Sequence, residues 1–455
     1  MSTPYGKKKS KLTAQHTQDL TQGSLTRHLI RLAVPLVFGN ILQEFYNTID
    51  AFVVGRFAGQ EQFAAIGVAG TVMNLFLFAL VGSCTGYSVL FAHAYGQNDL
   101  AELHRKEVSA LAAGLLCTGV LMLAGLCGMS PLLSLLQTPD ALRGYVAAYL
   151  RWIFLSLPAA FLYNLFASLL RSSGDTQAAL FVLAVAVGAN LLLDLLFVAV
   201  LSGGIEGAAI ATALTQIFSA LVCYFYLRRT HRELLLRRED FKLSLSELWA
   251  TLRFGIITSM HHCSLYLGKL LVQGVVNTAG TEVIAAYTAA TRIEGFANSF
   301  GSSGSTAASI LTAQNHGADK PGRVESAFRC SLLLLAGLGT VCGAGMFFLG
   351  SHAIALLLAS GEGLAFSTAV AYLRLVSLFY TVCFIGNAFT GHYSGVGHVM
   401  LPFVGTLGHI GLRVVLSWAL FPRLGLNAVA LATGLGWLCA IIFWAGCKVW
   451  LRRRA

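Results

Sequence analysis

This chain has little charge. Asp, Glu, Lys and Arg make up 11% of its 455 residues, while hydrophobic residues make up 56% and the mean hydropathy is +0.71. Those values exclude an ordinary water-soluble domain and imply a polytopic membrane protein. The apolar runs also lack the strict alternation of barrel strands, which excludes a porin-like barrel. Ten cysteines are scattered singly (Cys84, Cys117, Cys127, Cys223, Cys263, Cys330, Cys342, Cys383, Cys439, Cys447), with neither metal-type nor redox-type spacing. They read as small packing residues. No metal-helix motif, nucleophile elbow or phosphate-cradling loop appears, so an enzyme is not expected and no cofactor is implied. No filter-like segment argues for a channel.

What is present is about twelve apolar runs of roughly twenty residues, each long enough to cross a hydrocarbon layer of about 30 Å. They begin near residues 30, 62, 108, 145, 178, 207, 254, 284, 330, 367, 399 and 427. With no water in the bilayer to satisfy an open backbone, these spans should be helices, and the fold all-α. The first 24 residues are polar and basic without an apolar h-region, and read as a disordered cytoplasmic tail rather than a cleaved signal. Residues 228–252 are the long charged stretch within the chain and read as a linker between lobes at 25–227 and 253–455.

The net charge of +11 is distributed on one side. With an even number of spans, the tail (Lys7, Lys8, Lys9, Lys11, Arg27, Arg31), the linker and the C-terminus (Lys448, Arg452, Arg453, Arg454) share one compartment, joined by turns near Arg105, Arg171 and Arg323. The other side shows little beyond Arg56, Arg143 and Arg423. This asymmetry places both termini in the cytoplasm, and no compact basic domain exists to bind nucleic acid.

Shifted by 221 to 223 residues, the chain lies over itself. Phe63-Ala64-Ala65-Ile66 meets Ile284-Ala285-Ala286-Tyr287, Ala148-Tyr149-Leu150-Arg151 meets Ala371-Tyr372-Leu373-Arg374, and Asn164 meets Asn387. Six spans per lobe start the second lobe on the same side as the first. The lobes are therefore related by a pseudo-two-fold axis along the membrane normal, and the cleft between them is the expected substrate path. In this register Asp50 faces Val272 or Leu271, and Asp194 faces Ser417. The two lobes differ where an ion would bind, as a secondary transporter requires.

On the first span Asn40, Gln43, Glu44, Asn47 and Asp50 fall within an arc of about 120° of a helical wheel, with Tyr46 at its edge. An acid left ionised against lipid near mid-bilayer costs about 2.5 to 3.5 kcal/mol, so this stripe faces protein or the cleft. The amides alone would also suit helix–helix hydrogen bonding. Asn190 and Asp194 lie one turn apart on the fifth span, and Thr212 on the sixth adds a hydroxyl. Two carboxylates with amide and hydroxyl oxygens form a hard-oxygen cage suited to Na⁺ or to a proton shared between the carboxyls. The alternative is an acid pair neutralised by a nearby base.

The second lobe is basic where the first is acidic. His262, Tyr266, Lys269 and Gln273 share a face of the seventh span, and His409 and Arg413 are one turn apart on the eleventh. Lys269 is costly at that depth unless paired or deprotonated. It either bridges to Glu44, Glu294 or Asp50, or contacts an anionic or zwitterionic substrate. His261 and His262 point about 100° apart and do not readily share a metal. The small residues from Gly301 to Ser305 overlie Gly82-Ser83-Cys84 and suit close helix packing.

Pro35, the run Gln43-Glu44-Phe45-Tyr46-Asn47-Thr48-Ile49-Asp50, the Ala94-Tyr95-Gly96 turn, Leu170-Arg171, Gly174-Asp175, Asn190 with Asp194, and Gly207 to Thr212 occur in order. In these motifs the chain, from about residue 25 to 450, resembles a prokaryotic multidrug and toxic compound extrusion (MATE) transporter. The resemblance implies two six-helix bundles in a V, with export driven by inward Na⁺ or H⁺. It also implies a cation site at Asp50, Asn190, Asp194 and Thr212, with Tyr46 and Asn164 close by, and a first helix that bends at Pro35. Glu44 departs from the family's usual neutral residue.

The expectation is a cation-coupled antiporter in the bacterial cytoplasmic membrane that exports amphipathic small molecules, functional as a monomer because one chain carries both lobes. Asn40, Glu44, Asn47, His262, Tyr266, Lys269, Gln273 and Arg413 are the candidate cleft residues. A lipid-linked precursor flippase is the alternative.

Overall fold

The structure, a computed structural model, describes residues 19–135, 138–358 and 361–453. The described chain is helical throughout its spans. The first lobe comprises α1 (Leu25–Phe57), α2 (Gln60–Gly96), α3 (Leu100–Cys127), a short α4 (Met129–Leu135), α5 (Asp140–Ser172), α6 (Thr176–Asp194) and α7 (Gly204–Thr230). The second comprises α8 (Leu245–Asn277), α9 (Thr281–Gly317), α10 (Pro321–Leu358), α11 (Leu364–Ser377), α12 (Tyr380–Gly395), α13 (Met400–Leu424) and α14 (Leu426–Arg452). The repeat read in the sequence is physical. Helices α1 and α8 are both 33 residues long, α2 and α9 both 37, and α7 and α14 both 27.

Nine of the described helices are long and apolar enough to cross a membrane singly. A tenth span is the pair α11 and α12, expected as one continuous run but bent by 50° at Leu378–Phe379. Helices α8 and α9 complete the twelve. They fall short on hydropathy because His261, His262, Lys269, Glu294 and a run of serines lie along them, which is the mark of helices that face a cleft rather than lipid.

Each lobe has its own apolar core, one built around Phe91, Phe154 and Phe161 and the other around Tyr372 and Phe384. The lobes meet where the ends of α2 and α9 cross on the pseudo-two-fold axis. Gly96 lies against the Gln314 carbonyl, and Gly317, its equivalent, against the His93 carbonyl. A side chain at either glycine would enter the opposite helix backbone, so these positions need glycine for the close approach. Gln314 also donates to the Ser172 carbonyl (2.6 Å) across the interface.

Residues 19–24 correct one expectation. Expected to be disordered together with residues 1–18, which lie outside the described residues, they are instead strapped onto the second lobe. Leu20 is fully buried, Asn315 donates to its carbonyl (3.2 Å), and Lys320 donates to the Thr21 carbonyl (2.9 Å). Amide and basic side chains of the second lobe, Gln314, Asn315, Lys320 and Arg323, satisfy the strap's backbone, so polarity alone did not make it free.

Candidate functional site: an acid pair and a charged cleft

The first lobe gathers its polar residues by packing α1, α6 and α7 together. Asp50 is near the end of α1, Asn190 and Asp194 are one turn apart on α6, and Thr212 is on α7; all four are buried. Thr212 Oγ1 donates to Asp50 Oδ2 (3.3 Å). The Asp50 and Asp194 carboxyls are within hydrogen-bonding reach of each other, and Tyr46 reaches the Thr212 hydroxyl from one side. Immediately after Asp194 the helix widens into a π-helical segment, Leu195–Val200, a local irregularity that recurs at functional sites.

Two carboxyls joined by a hydrogen bond require one proton between them, and two ionised carboxylates at that spacing require a cation. The cluster can therefore take a proton or a hard cation, and the amide of Asn190 and the hydroxyl of Thr212 are the additional oxygens available. Tyr149, which the sequence displayed only as part of the repeat, stands beside both acids. Asn164 donates to the Ala160 carbonyl one turn back (2.9 Å) and is thus held against its own helix.

Pro35 sits inside α1 and is buried. It removes the N–H that would reach the Arg31 carbonyl. The Thr176 hydroxyl lies at 3.5 Å from that carbonyl and supplies the missing donor from α6.

The cleft candidates divide into two groups. Asn40, His262 and Tyr266 belong to the contact between lobes. Asn40 Nδ2 donates to Ser303 Oγ (2.9 Å), Tyr266 Oη donates to the Thr71 carbonyl (3.2 Å) and stacks on Phe78, and His262 packs at Gly82. Glu44 and Lys269 lie one turn beyond these contacts on α1 and α8, are exposed, and face each other across the cleft within electrostatic reach. Gln273 donates to Asn277 on its own helix (2.8 Å). The Asn47 side chain lies outside the described positions.

Behind Lys269 is a charged centre that the sequence had shown only in fragments. Tyr372 Oη donates to Glu294 Oε1 (2.7 Å), and Tyr380 Oη lies 3.4 Å from Oε2. Arg413 is near Glu294 and bonds Tyr287, while its buried Nε has no hydrogen-bond partner. Two bases thus surround one acid, leaving an excess positive charge at the cleft wall. In the repeat, Arg413 occupies the position of Asn190, Ser417 that of Asp194, and Glu294 that of Met73.

Twelve spans in two similar lobes, with buried acids in one and a buried acid among bases in the other, define a two-lobed membrane transporter. The chain matches the MatE family over residues 35–196 and again over 258–419, once in each lobe. It is 25% identical over 428 residues to the probable multidrug resistance protein YpnP of Bacillus subtilis (strain 168), covering 92% of this chain and 94% of that one. It is 22% identical over 440 residues to the probable multidrug resistance protein NorM of Thermotoga maritima, covering 92% and 90%. A MOP superfamily transporter from Pyrococcus furiosus superposes with a TM-score of 0.88 at 22% identity, covering 98% of both chains. The chain belongs to the MatE family: it is a multi-pass membrane transporter and not an enzyme.

Proposed function

We propose that this chain is an antiporter that exports amphipathic small molecules in exchange for inward Na⁺ or H⁺, by alternating access between its two lobes. The observation that carries the reading is the Asp50–Asp194 pair bonded by Thr212 in the first lobe, whose two acids have no acidic counterpart in the second, where Val272 or Leu271 and Ser417 stand in their places. The names of the relatives, multidrug resistance proteins, favour a range of substrates over a single one.

In this reading the basic residues put the strapped end of the lobes in the bacterial cytoplasm, so the exposed face with Glu44 and Lys269 opens outward. Cation and substrate favour opposite openings of the cleft. A cation entering the Asp50–Asp194 site neutralises the pair, removes the penalty for burying it, and biases the first lobe toward the arrangement that releases substrate. One proton crossing about 100 mV releases about 2.3 kcal/mol. One unit of pH gradient adds about 1.4 kcal/mol. Together these hold a neutral substrate at a gradient of roughly 500-fold with one proton exchanged per molecule. One chain carries both lobes, so a monomer suffices.

The test is efflux of a fluorescent cationic dye and of an anionic one from proteoliposomes, with Na⁺ and pH gradients imposed separately. Wild type should respond to one gradient, which identifies the ion, and Asp50→Asn and Asp194→Asn should both lose the response. Efflux by wild type that ignores both gradients sinks the proposal.

A further inference from the structure

The lobes differ again at the strapped end, where the first and last helices of each lobe meet the turn before the fifth span. In the first lobe this seam is closed. Asp175, the cap of α6, accepts hydrogen bonds from His231 Nε2 (3.0 Å) and Tyr226 Oη (3.3 Å), beside the contact of Thr176 with Arg31. The repeat carries Arg31 onto Arg253, Asp175 onto His398 and Tyr226 onto Cys447. The turns themselves are alike, with Gly174 at φ 88° and Gly397 at φ 87°. The second lobe has kept the base and lost both the acid and the large ring.

A cavity of about 710 Å³ results, between α8, the turn from α12 to α13, and α14. Its walls are mostly apolar, including Trp249, Ile257, Leu401 and Trp450, and Ser246, Arg253 and His398 supply its polar side chains. The acids close by in the fold are already engaged: Glu247 on α8 with Lys106 (2.6 Å) and Glu325 on α10 with Lys448 (3.0 Å). Trp249 and Trp450 are 67% and 52% exposed, as interfacial tryptophans are where a helix leaves the hydrocarbon. An apolar slot with a cation at its mouth, between transmembrane helices, matches a phosphate joined to an acyl chain. A small soluble anion would leave the slot unfilled.

We propose that this seam binds one anionic phospholipid from the adjoining leaflet, with the phosphate on Arg253 and His398 and an acyl chain in the cavity. The lipid fills the place that Tyr226 and Asp175 fill in the first lobe. The site lies apart from the acid pair, so its failure leaves the transport reading untouched.

Native mass spectrometry of the full chain tests it, with dioleoyl phosphatidylglycerol offered against dioleoyl phosphatidylcholine. Wild type should retain one phosphatidylglycerol preferentially. Arg253→Gln, at an exposed position, should lower that retention roughly tenfold, as loss of a charge-assisted hydrogen bond does. Cys447→Tyr, which restores the first lobe's ring, should exclude the lipid while leaving Arg253 in place. Excess inorganic phosphate should not displace it. In vesicles, brominated phosphatidylglycerol should quench tryptophan fluorescence more in wild type than in Trp249→Phe/Trp450→Phe. Equal retention of the two lipids by wild type and both variants, or displacement by inorganic phosphate, overturns the proposal.

Discussion

Tyr149 and Tyr372 occupy equivalent positions in the two lobes and present their hydroxyls to equivalent residues of α2 and α9, yet the partners differ in kind. Tyr372 donates to the Glu294 carboxyl at 2.7 Å, whereas Tyr149 reaches the sulfur of Met73 at 3.6 Å. One backbone geometry thus supports an acid in one lobe and a weak, apolar acceptor in the other. The acidity that the second lobe lacks on α8 and α13 reappears on α9, and that of the first lobe stays on α1 and α6.

The two tyrosines should therefore respond unequally to loss of the hydroxyl. Tyr372→Phe removes a bond to a buried carboxyl and should cost about 1.5 to 3 kcal/mol, while Tyr149→Phe removes only a weak contact to sulfur and should cost less than about 1 kcal/mol. Equilibrium unfolding of the purified protein in detergent measures both. Equal losses would mean that Glu294 is satisfied by other groups.

Thr212 offers a finer test of the acid pair than removal of an acid. Its hydroxyl is 3.3 Å from Asp50, a long bond to a charged group, so Thr212→Val should weaken apparent affinity for the coupling ion by about tenfold. Thr212→Ser should restore most of it. The readout is the concentration of Na⁺ or H⁺ giving half-maximal efflux; a change in maximal rate alone would assign Thr212 to packing.

The repeat, the helical class and the shared face of Asn190 and Asp194 were legible in the sequence because helix periodicity puts i and i+4 on one face and bilayer energetics forbid exposed acids, whereas a common site for these two with Asp50 and Thr212, on other helices, was what the family resemblance implied. The roles of Tyr149, Tyr287 and Tyr380 were not legible, and Glu294 was visible only as a possible partner of Lys269. They are spread over α5, α9 and α12, and only the packing of α9 against α11 and α12 brings Glu294 to its two tyrosines. Asn40, His262 and Tyr266 carried the right signal, polarity on a membrane helix, but it did not distinguish lining the cleft from bonding the other lobe. The bend between α11 and α12 was invisible for a similar reason: neither proline nor glycine marks Leu378–Phe379.

Glu44 and Lys269 should set the charge preference of transport. They face each other across the cleft, with the bases near Glu294 adding positive charge on the second-lobe side. Lys269→Ala should slow efflux of anionic compounds by roughly tenfold, equivalent to about 1.4 kcal/mol, and leave cationic dyes unchanged or faster. Glu44→Gln should do the reverse. A panel of dyes matched in size and differing in charge checks this, and the idea is lost if neither variant separates the two classes.

Asp175 lies between the spans, where acid should reveal it. Burial pushes its carboxyl up, but the His231 and Tyr226 hydrogen bonds and the Ala178 N–H outweigh burial and hold it below the ordinary carboxylate range. The unfolded chain, with its carboxyl at about 3.9, binds the proton more readily than the folded one. This stabilisation is therefore complete above that value and disappears as pH falls through the depressed folded value. Asp175→Asn keeps the size of the cap but loses the charge, so it should lower the melting temperature at neutral pH while the difference from wild type narrows in acid. A melting-temperature profile from pH 7 downward measures the difference. Two curves that remain parallel would show that the cap acts by hydrogen bonding alone, with no contribution from the ionised carboxylate.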